Sequence, residues 1–319
     1  MTESFCIATA PSSTANLGPG FDTFGLALDL FEDEVKVIKK QSKNQKITIN
    51  KIIQSEPKIP IEIEHNSSSI VVKKMAEDFT IQNDIEIEIR KCVPAGYGIG
   101  SSAASSVAAA YAFNKLFALQ LDKKRLVEYA AEGEIASAGT KHYDNVACSL
   151  LGGFVIVRTF PKIDLIKIEP PNDLNIVVGI PKIPVPKKKT EAARNILPQS
   201  VPLENVIKNI ANASTIVAGF ALKDVEMISR GMEDTIVEPV RKKMIPGYDV
   251  VKKYALNAGA LAFTISGAGP SIVAILKTDK NSDKIINAIE KGFNDSNINN
   301  EVYLCKPSDG AKVIQTNEY

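Results

Sequence analysis

The sequence predicts an α+β protein of two domains, in which strands and helices alternate without a regular period. Isoleucines at 85, 87 and 89 alternate with charged residues, which is the period-two pattern of a half-exposed strand. The segments 67–79 and 102–119 have the apolar spacing of helices, and another helix is predicted over 123–136. A chain of 319 residues with 45% apolar residues is long enough for one large or two medium domains.

The remaining elements follow from shorter patterns. Alternation at 35–37 and 47–49 predicts two further strands in the first half of the chain. The Pro-rich segment 161–171 predicts a domain junction, so we expect domains at 1–162 and 163–319. Strands are also predicted over 151–157, 176–180, 271–276 and 301–305, and helices over 204–219, 222–232, 247–258 and 282–293.

Composition excludes several classes of function. The 38 basic residues nearly balance the 37 acidic ones, so the chain lacks the positive field of a nucleic-acid or membrane-surface protein. No apolar run approaches the roughly 20 residues that span a bilayer, and no signal peptide is evident, so we expect a cytoplasmic protein without a membrane partner. The lysines 187–189 are interpreted as a solvated loop. The four cysteines are scattered, which predicts buried, reduced thiols.

A glycine-rich segment, Pro94–Ala104, lies between the isoleucine strand and an alanine-rich helix. Glycines allow the backbone to approach a ligand closely, and the first turn of a helix offers unpaired N–H groups and a positive dipole end. Together these features predict a phosphate site. A tight turn with Ser101 as an ordinary helix cap would be the purely structural alternative.

Other phosphate-binding motifs fit poorly. The chain contains no Gly-Xaa4-Gly-Lys-Ser/Thr segment, and its glycine spacing differs from that of the dinucleotide-binding fingerprint. Asp122 sits at a junction between helices, whereas that fingerprint needs an acid after a strand. P-loop NTPases and nicotinamide enzymes are therefore disfavoured.

Three blocks in order resemble the motifs of the GHMP kinases, and the resemblance extends over nearly the whole chain. They are Ala10–Asp22, the Pro94–Ala104 loop and Ser266–Ser271. The family implies a two-domain fold, with an N-terminal ribosomal-protein-like α+β domain and a C-terminal ferredoxin-like α+β domain. It also implies ATP as the phosphoryl donor, bound by Pro94, Ala95, Gly96, Tyr97, Gly98, Ile99, Gly100, Ser101, Ser102, Ala103 and Ala104.

Further blocks resemble the homoserine kinase branch of that family, namely Lys141–Ala147, Leu151–Phe154, Thr190–Pro198 and Glu238–Arg241. The likeness implies phosphorylation of the homoserine hydroxyl in threonine biosynthesis, and a homodimer. Homoserine is a zwitterion, so its site needs a carboxylate and a guanidinium, and an arginine pairs bidentately with a carboxylate. The residues implied around the amino acid are Asn16, Asp22, His142, Asp144, Arg194 and Arg241, with Asn145 and Arg241 acting in catalysis.

Phosphoryl transfer needs Mg²⁺ to neutralise the phosphate oxygens, and the family's metal pair matches Ser102 and Glu134. In several branches an aspartate takes the hydroxyl proton, but the matching residue here is Asn145, and an amide cannot accept a proton at neutral pH. We therefore hypothesise that Asn145 orients the hydroxyl, and that its proton passes to the γ-phosphate or to solvent.

The sequence leaves some alternative functions and residue roles open. A GHMP kinase for shikimate, mevalonate or a sugar would share the loop but lack the paired arginines. A sensor that binds ATP without catalysis is the alternative outside enzymes, although the intact Ser102 and Glu134 disfavour it. On the adenine side, Ser69 replaces the family's asparagine, so Asn66 is a candidate substitute, while His65 is interpreted as a loop residue. The Ser266–Ser271 segment is expected to support the phosphate loop.

Overall fold

The computed structural model describes residues 3–42, 44–54, 58–139, 141–186 and 189–317. Its strands are β1 Ser4–Ala15, β2 Phe24–Lys39, β3 Ile47–Gln54, β4 Ile85–Lys91, β5 Phe154–Arg158, β6 Asp164–Ile168, β7 Asn175–Pro181, β8 Ala262–Ile265, β9 Ile272–Leu276, β10 Asn300–Cys305 and β11 Lys312–Asn317. Its helices are α1 Ser67–Asp78, α2 Ser101–Leu116, α3 Lys123–Ala138, α4 Tyr143–Leu151, α5 Lys189–Asn195, α6 Leu203–Leu222, α7 Val225–Arg230, α8 Glu238–Arg241, α9 Tyr248–Asn257 and α10 Ser282–Asp295.

The strands of the first half of the chain form most of a large sheet. Its strand order is β11-β1-β2-β4-β3, with β5 added beside β2 and β6 beside β5. All pairings are antiparallel except β3 with β4. In β4 the isoleucines at 85, 87 and 89 are buried on one face, as their alternation predicts.

The second sheet is smaller and antiparallel, with strand order β10-β7-β9-β8. Taken in chain order, its strands and the intervening helices form a β-α-β-β-α-β unit, which is the ferredoxin-like arrangement. The predicted α+β architecture, with a ferredoxin-like unit in the second half of the chain, is therefore confirmed.

Apolar side chains form layers on both sides of the small sheet. Ile176 and Val178 of β7 face the large sheet, where they join a cluster with Leu26, Phe154 and Phe220. The Phe154 and Phe220 rings stack with their centroids 3.9 Å apart. The intervening residue of β7, Val177, points to the opposite face and packs with α9 and α10. Because one apolar cluster spans both sheets, the two halves share a core.

The predicted elements with clear periodicity are present, and most of their ends change little. The strands predicted over 35–37 and 47–49 are longer, because they belong to β2 Phe24–Lys39 and β3 Ile47–Gln54. One prediction is wrong in part, because the strand predicted over 151–157 begins only at Phe154, since Leu151 ends α4. The segment 161–171, predicted as a junction, contains β6. The sequence did not predict the strands β1, β6, β8 and β11 or the helices α4, α5 and α8. The strands β6 and β11 lie after residue 162 but belong to the large sheet, so the large sheet contains strands from both halves of the chain. The domain boundary after residue 162 stays a prediction.

Three of the four cysteines, at 6, 148 and 305, are buried as expected, whereas Cys92 is exposed because it follows the last residue of β4. All four are free thiols. Among the described residues, no helix is both long and apolar enough to cross a membrane.

We expect Leu26→Ala to destabilise the protein by about 2–5 kcal/mol, because it removes a fully buried side chain from the cluster that joins the sheets. Urea unfolding measures the change. The matched control is Leu222→Ala at the end of α6, where the leucine is 68% exposed; its effect should stay within about 0.5 kcal/mol. Equal effects of the two substitutions would contradict the shared core.

Candidate active site

A cavity of about 590 Å³ lies between the two halves of the chain. Its wall combines the end of β1, the glycine-rich loop, the start of α4, the α5 region and the 266–271 segment. The lining residues with chemical functions include Asn16, Asp22, Lys91, Ser101, Ser102, Glu134, His142, Asp144, Asn145, Lys189, Thr190, Arg194 and Arg241. Segments far apart in sequence therefore converge on one site.

The glycine-rich loop has the backbone form that a phosphate cradle needs. Gly96, Gly98 and Gly100 have φ of +86°, +80° and +72°, in the region that favours glycine. A Cβ at position 98 would lie 2.5 Å from the Gly269 carbonyl oxygen and 2.6 Å from that of Ser266. The loop is thus packed backbone to backbone against the 266–271 segment, and a side chain would push them apart.

Hydrogen bonds hold this loop at both ends. The Ser101 hydroxyl donates to the Val93 carbonyl at 2.9 Å, so it ties the loop together instead of capping the helix. The Ser266 hydroxyl donates to the Gly98 carbonyl at 2.8 Å, and the Ser271 amide donates to the Tyr97 carbonyl at 3.1 Å. The geometry thus agrees with the expected supporting role of the 266–271 segment.

Helix α2 begins directly after the loop, with Gly100 as its N-cap and no side chain capping it. The first N–H groups of a helix have no partner within the helix and carry the positive end of its dipole. This 16-residue helix therefore presents donors to the cavity, next to the glycines that allow close approach. Both parts of the predicted phosphate site lie together.

Not every residue of the predicted nucleotide loop faces the cavity. Ala95, Gly96, Gly98, Gly100, Ser101 and Ser102 line it. The side chains of Ile99, Ala103 and Ala104 are fully buried in the apolar core. These three residues support the loop and the helix, and only their backbone is available to a nucleotide.

A buried ion pair lies beneath the loop. Lys91 at the end of β4 and Asp33 of β2 form a salt bridge, and the Ser105 hydroxyl donates to Asp33 at 2.7 Å. The other Asp33 oxygen accepts the amides of Cys92 and Val93 at 2.9 Å. Asp33 therefore satisfies the backbone where the loop begins, which balances part of the desolvation cost of both charges.

On the opposite side of the cavity, Arg194 and Asp22 pair with each other. The Arg194 Nη2 donates to both carboxylate oxygens of Asp22, at 2.9 and 2.8 Å. The same nitrogen lies 3.0 Å from the Nε2 of His142, which accepts its hydrogen bond if that ring nitrogen is unprotonated. Both paired side chains are more than a third exposed, so the pair contributes at most about 1 kcal/mol and a ligand can open it.

Arg241, at the end of α8, is 4% exposed. Its guanidinium donates to the carbonyls of Ala193 and Gly267, and lies 4.9 Å from the centre of the Phe21 ring. Burial lowers the pKa of Arg241 to about 10, so the side chain stays charged at neutral pH. Arg194 lies over the same ring at 5.4 Å, and Phe21 therefore supports both guanidinium groups.

Asn16 and Asp144 shape the wall around these groups. The Asn16 side chain donates to the Gly267 carbonyl and accepts the Asp22 amide, so it fixes the position of the turn that carries Asp22. Burial, and next the nearby Asp22 charge, raise the pKa of Asp144 to about 6. One Asp144 oxygen accepts the amide of Asn145 at 2.8 Å.

Asn145 is oriented by its neighbours. Its side-chain oxygen accepts the Ser13 hydroxyl at 2.9 Å, which leaves the Nδ2 group as the part that can serve a ligand. One Nδ2 contact, to Asp144, is long at 3.4 Å. The amide is therefore placed to donate a hydrogen bond into the cavity.

Ser102 and Glu134 lie together on the phosphate side. Glu134 of α3 is only 5% exposed. Burial raises the pKa of Glu134 to about 7, although a hydrogen bond from Ser102 opposes the rise. A buried carboxylate beside a hydroxyl offers hard oxygen ligands of the kind that Mg²⁺ takes together with phosphate oxygens. Among the described residues, no group of three or more His, Cys, Asp or Glu side chains could hold a metal ion.

One prediction about this region is wrong. Lys189 does not belong to a solvated loop, because its side chain is buried, lines the cavity and donates to the Gly269 carbonyl. Lys187 and Lys188 lie outside the described residues.

The segment before α1, where the sequence predicts the adenine side, lines one part of the cavity. Asn66 lines the cavity, but its oxygen accepts the amides of Ser68 and Ser69 and its nitrogen donates to the Pro60 carbonyl. Its side chain thus caps α1, which disfavours the substitute role. Ser69 is buried and donates to the Ile63 carbonyl, away from the cavity, while His65 lies in a short 3-10 turn at the cavity wall.

Sequence reasoning missed several members of the site, and for two of them a signal exists. By the alternation of a strand, Asp33 falls on the same face of β2 as Val35 and Val37, and Lys91 falls on the same face of β4 as the buried isoleucines. A charge on the core face of a strand indicates a buried pair. For Lys189 we find no local sequence pattern that predicts its place in the wall, and none that predicts the contacts of Ser13 with Asn145 or of Phe21 with the two guanidinium groups.

Comparison with known proteins places the fold in a class. The model of the GHMP kinases N terminal domain matches residues 66–153, and that of the GHMP kinases C terminal domain matches residues 216–295. These segments contain α2 with its uncapped start and two of the four strands of the small sheet, β8 and β9. The fold and site thus define a GHMP kinase.

Comparison with individual proteins identifies the branch of this class to which the chain belongs. The chain is 36% identical to a homoserine kinase of Thermoplasma volcanium over 96% of this chain and 95% of that protein, and 39% identical to one of Methanococcus maripaludis over 85% and 87%. A crystal structure of homoserine kinase from Cytophaga hutchinsonii superimposes with a TM-score of 0.90 at 40% identity, covering 98% of both chains. The chain belongs to the homoserine kinase family.

The raised pKa of Glu134 has a measurable consequence for stability. The unfolded carboxyl ionises near 4.5 and the folded one near 7, so stability falls as the pH rises between these values. Glu134→Gln removes this penalty. We expect the variant to be more stable than the parent by about 2–3 kcal/mol at pH 8, with the gain shrinking towards pH 5, in denaturant unfolding at both pH values.

Glu233→Gln is the matched control, because Glu233 is exposed on a loop. That variant should follow the parent at both pH values. A Glu134→Gln protein that is less stable than the parent at pH 8 would show that the carboxylate stabilises the fold.

Proposed function

We propose that this chain is a homoserine kinase, which transfers the γ-phosphoryl group of ATP to the side-chain hydroxyl of L-homoserine. The observation that carries the proposal is one cavity that combines a phosphate loop on one side with an acid and two guanidinium groups on the other. A zwitterion with a hydroxyl fits this division. The names of the relatives support the same reaction.

The amino-acid end of the substrate is assigned to the Asp22–Arg194 pair and to Arg241. Asp22 and Arg194 already satisfy each other, at 2.8 Å. A zwitterion can replace that single contact with two, because its ammonium takes Asp22 and its carboxylate takes a guanidinium. Arg241 supplies a second, buried positive charge, while His142, Asp144 and Asn16 hold these groups in position.

The triphosphate is assigned to the glycine-rich loop and the first turn of α2. Backbone N–H groups would bind the phosphate oxygens, since the loop glycines leave room for close approach. Ser102 and Glu134 would hold Mg²⁺, which when bound neutralises charge on the β- and γ-phosphate oxygens. Both residues line the same wall as Gly98 and Gly100.

Transfer itself needs little more than position and charge neutralisation. The hydroxyl oxygen attacks the γ-phosphorus, the bond to the β-phosphate oxygen breaks, and ADP leaves. The hydroxyl proton is released through the product phosphate to solvent, because the amide of Asn145 cannot accept it. Asn145 acts by donating from Nδ2 to the hydroxyl oxygen, which aims a lone pair at phosphorus.

A substrate panel tests the proposal. In a coupled ADP-release assay with Mg-ATP, we expect turnover with homoserine and none above background with shikimate, mevalonate or galactose. Turnover with one of the other alcohols would assign the chain to a different GHMP reaction. Tight ATP binding without turnover of any alcohol would indicate the sensor alternative.

Asn145 variants test the role of the amide. We expect Asn145→Ala to lower kcat about tenfold or more, because the hydroxyl loses its orientation, whereas Asn145→Asp should not raise kcat. The control is Asn257→Ala at the exposed end of α9. Unchanged kcat and KM in Asn145→Ala would remove the proposed role, and a large rise in Asn145→Asp would mean that proton abstraction limits the rate.

The predictions of a cytoplasmic location and of a homodimer rest on the sequence and on the family resemblance alone. Threonine biosynthesis follows as the pathway if homoserine is the substrate.

A further inference from the structure

Lys189 is a buried cation that the steps above leave without a task. It begins α5 and lines the cavity, and its side chain is 9% exposed. Its ammonium donates to the Gly269 carbonyl. An ammonium has three donors, so this one contact uses only part of its capacity.

The surroundings of Lys189 do not balance its charge. No carboxylate among the described residues lies within salt-bridge distance of it. The charged side chain that acts on it most is another cation, Arg241. A buried ammonium whose main charged neighbour is another cation is costly without a bound anion, and an anionic ligand beside Lys189 would remove that cost.

Two kinds of anion enter this cavity, a phosphate and the substrate carboxylate. The backbone contacts of Lys189 favour the phosphate. Lys189 donates to the Gly269 carbonyl, and this oxygen lies only 2.5 Å from where a Cβ on Gly98 would be. Val185, four residues before Lys189, lies 2.6 Å from where a Cβ on Gly96 would be. The segment that carries Lys189 therefore borders the phosphate loop.

The substrate carboxylate, in contrast, already has two guanidinium groups at its end of the cavity. Arg194 and Arg241 both lie over the Phe21 ring, on the side of Asp22. A third cation is not needed there. The γ-phosphoryl group has no arginine or lysine assigned to it, although its charge changes most during transfer.

We propose that the ammonium of Lys189 binds the γ-phosphoryl group of ATP and stabilises its charge during transfer to the alcohol. This inference rests on the proposed kinase function. The bond from the γ-phosphorus to the β-phosphate oxygen breaks, and the bond to the alcohol oxygen forms. Lys189 keeps its protons throughout, and the alcohol proton leaves to solvent.

The protonation of Lys189 gives the inference a second observable. Burial, and next the Arg241 charge, lower the pKa of Lys189 to about 7 in the empty protein. An adjacent triphosphate raises it again, so binding above pH 7 takes up a proton. The other charged groups that line the cavity and enter this balance are Asp22, Lys58, Lys91, Glu134, Asp144, Arg194 and Arg241.

The test is the Lys189→Met variant, whose unbranched side chain is one atom shorter than that of lysine and carries no charge. With homoserine, we expect kcat to fall about 100- to 1,000-fold, with the KM for homoserine within about threefold of the parent. Calorimetry then compares Mg-ADP with the hydrolysis-resistant ATP analogue AMPPNP at about pH 8. The variant should lose affinity for AMPPNP at least about tenfold more than for ADP, and proton uptake on AMPPNP binding, measured in two buffers, should fall by roughly one proton.

Three results would overturn the inference. They are a kcat within about threefold of the parent, a raised KM for homoserine with unchanged kcat, and equal losses of ADP and AMPPNP affinity. The calorimetric arm does not use homoserine. If the parent does not turn over homoserine but Lys189→Met still loses more AMPPNP than ADP affinity, the proposed substrate is wrong, while the proposed role of Lys189 in binding the γ-phosphoryl group stands.

A matched control and a second variant guard against a folding defect. Lys253→Met changes an exposed lysine on α9 and should match the parent in both arms. If a thermal melt shows that Lys189→Met is unfolded, Lys189→Gln replaces it, because glutamine lacks the charge but can still donate to a carbonyl. The expected and overturning results are the same for that variant.

Discussion

The structure depends on the close backbone contact between the glycine-rich loop and the 266–271 segment. At Gly98 the two backbones approach so closely that a single Cβ would lie 2.5 Å from the Gly269 carbonyl oxygen. This contact joins the large sheet to the small sheet directly beside the cavity, and the Ser266 hydroxyl reinforces it. The loop is held on one side by this segment and on the other by Asp33. In the proposed role as a phosphate site it would therefore need little ordering on binding, which lowers the entropic cost.

Charge around the cavity follows a clear division. Beneath the loop, Lys91 and Asp33 neutralise each other in a fully hydrogen-bonded pair, so this part of the site is complete without a ligand. Within the cavity, Glu134 and Asp144 have raised pKa values while those of Lys189 and Arg241 are lowered, in each case first because of burial. Groups that carry such penalties destabilise the empty protein and favour ligands of opposite charge, which is the usual conflict between stability and function in an active site.

The sequence predicted best those elements whose pattern reports a local environment. The isoleucines of β4 alternate because one face of that strand is buried, and the helices α6, α9 and α10 were evident from apolar spacing. Elements whose partners are distant in sequence were missed. Strand β11 pairs with β1 at the other end of the chain, and no local pattern announces that pairing. The interpretation of Lys189 failed for the same reason, since its burial depends on Gly269, 80 residues away.

By itself, the sequence determined the α+β class and the glycine-rich loop before α2, because apolar and glycine spacing are local properties, while the family resemblance supplied Asp22, Asp144, Arg194 and Arg241 as expected site residues. Only the tertiary structure decided which charges are paired and which face the cavity without a counter-charge. That distinction separates Lys91, bound to Asp33, from Lys189, which lies beside Arg241. Electrostatic interaction depends on distance and burial, and the chain brings these groups together only when its two sheets pack around one core.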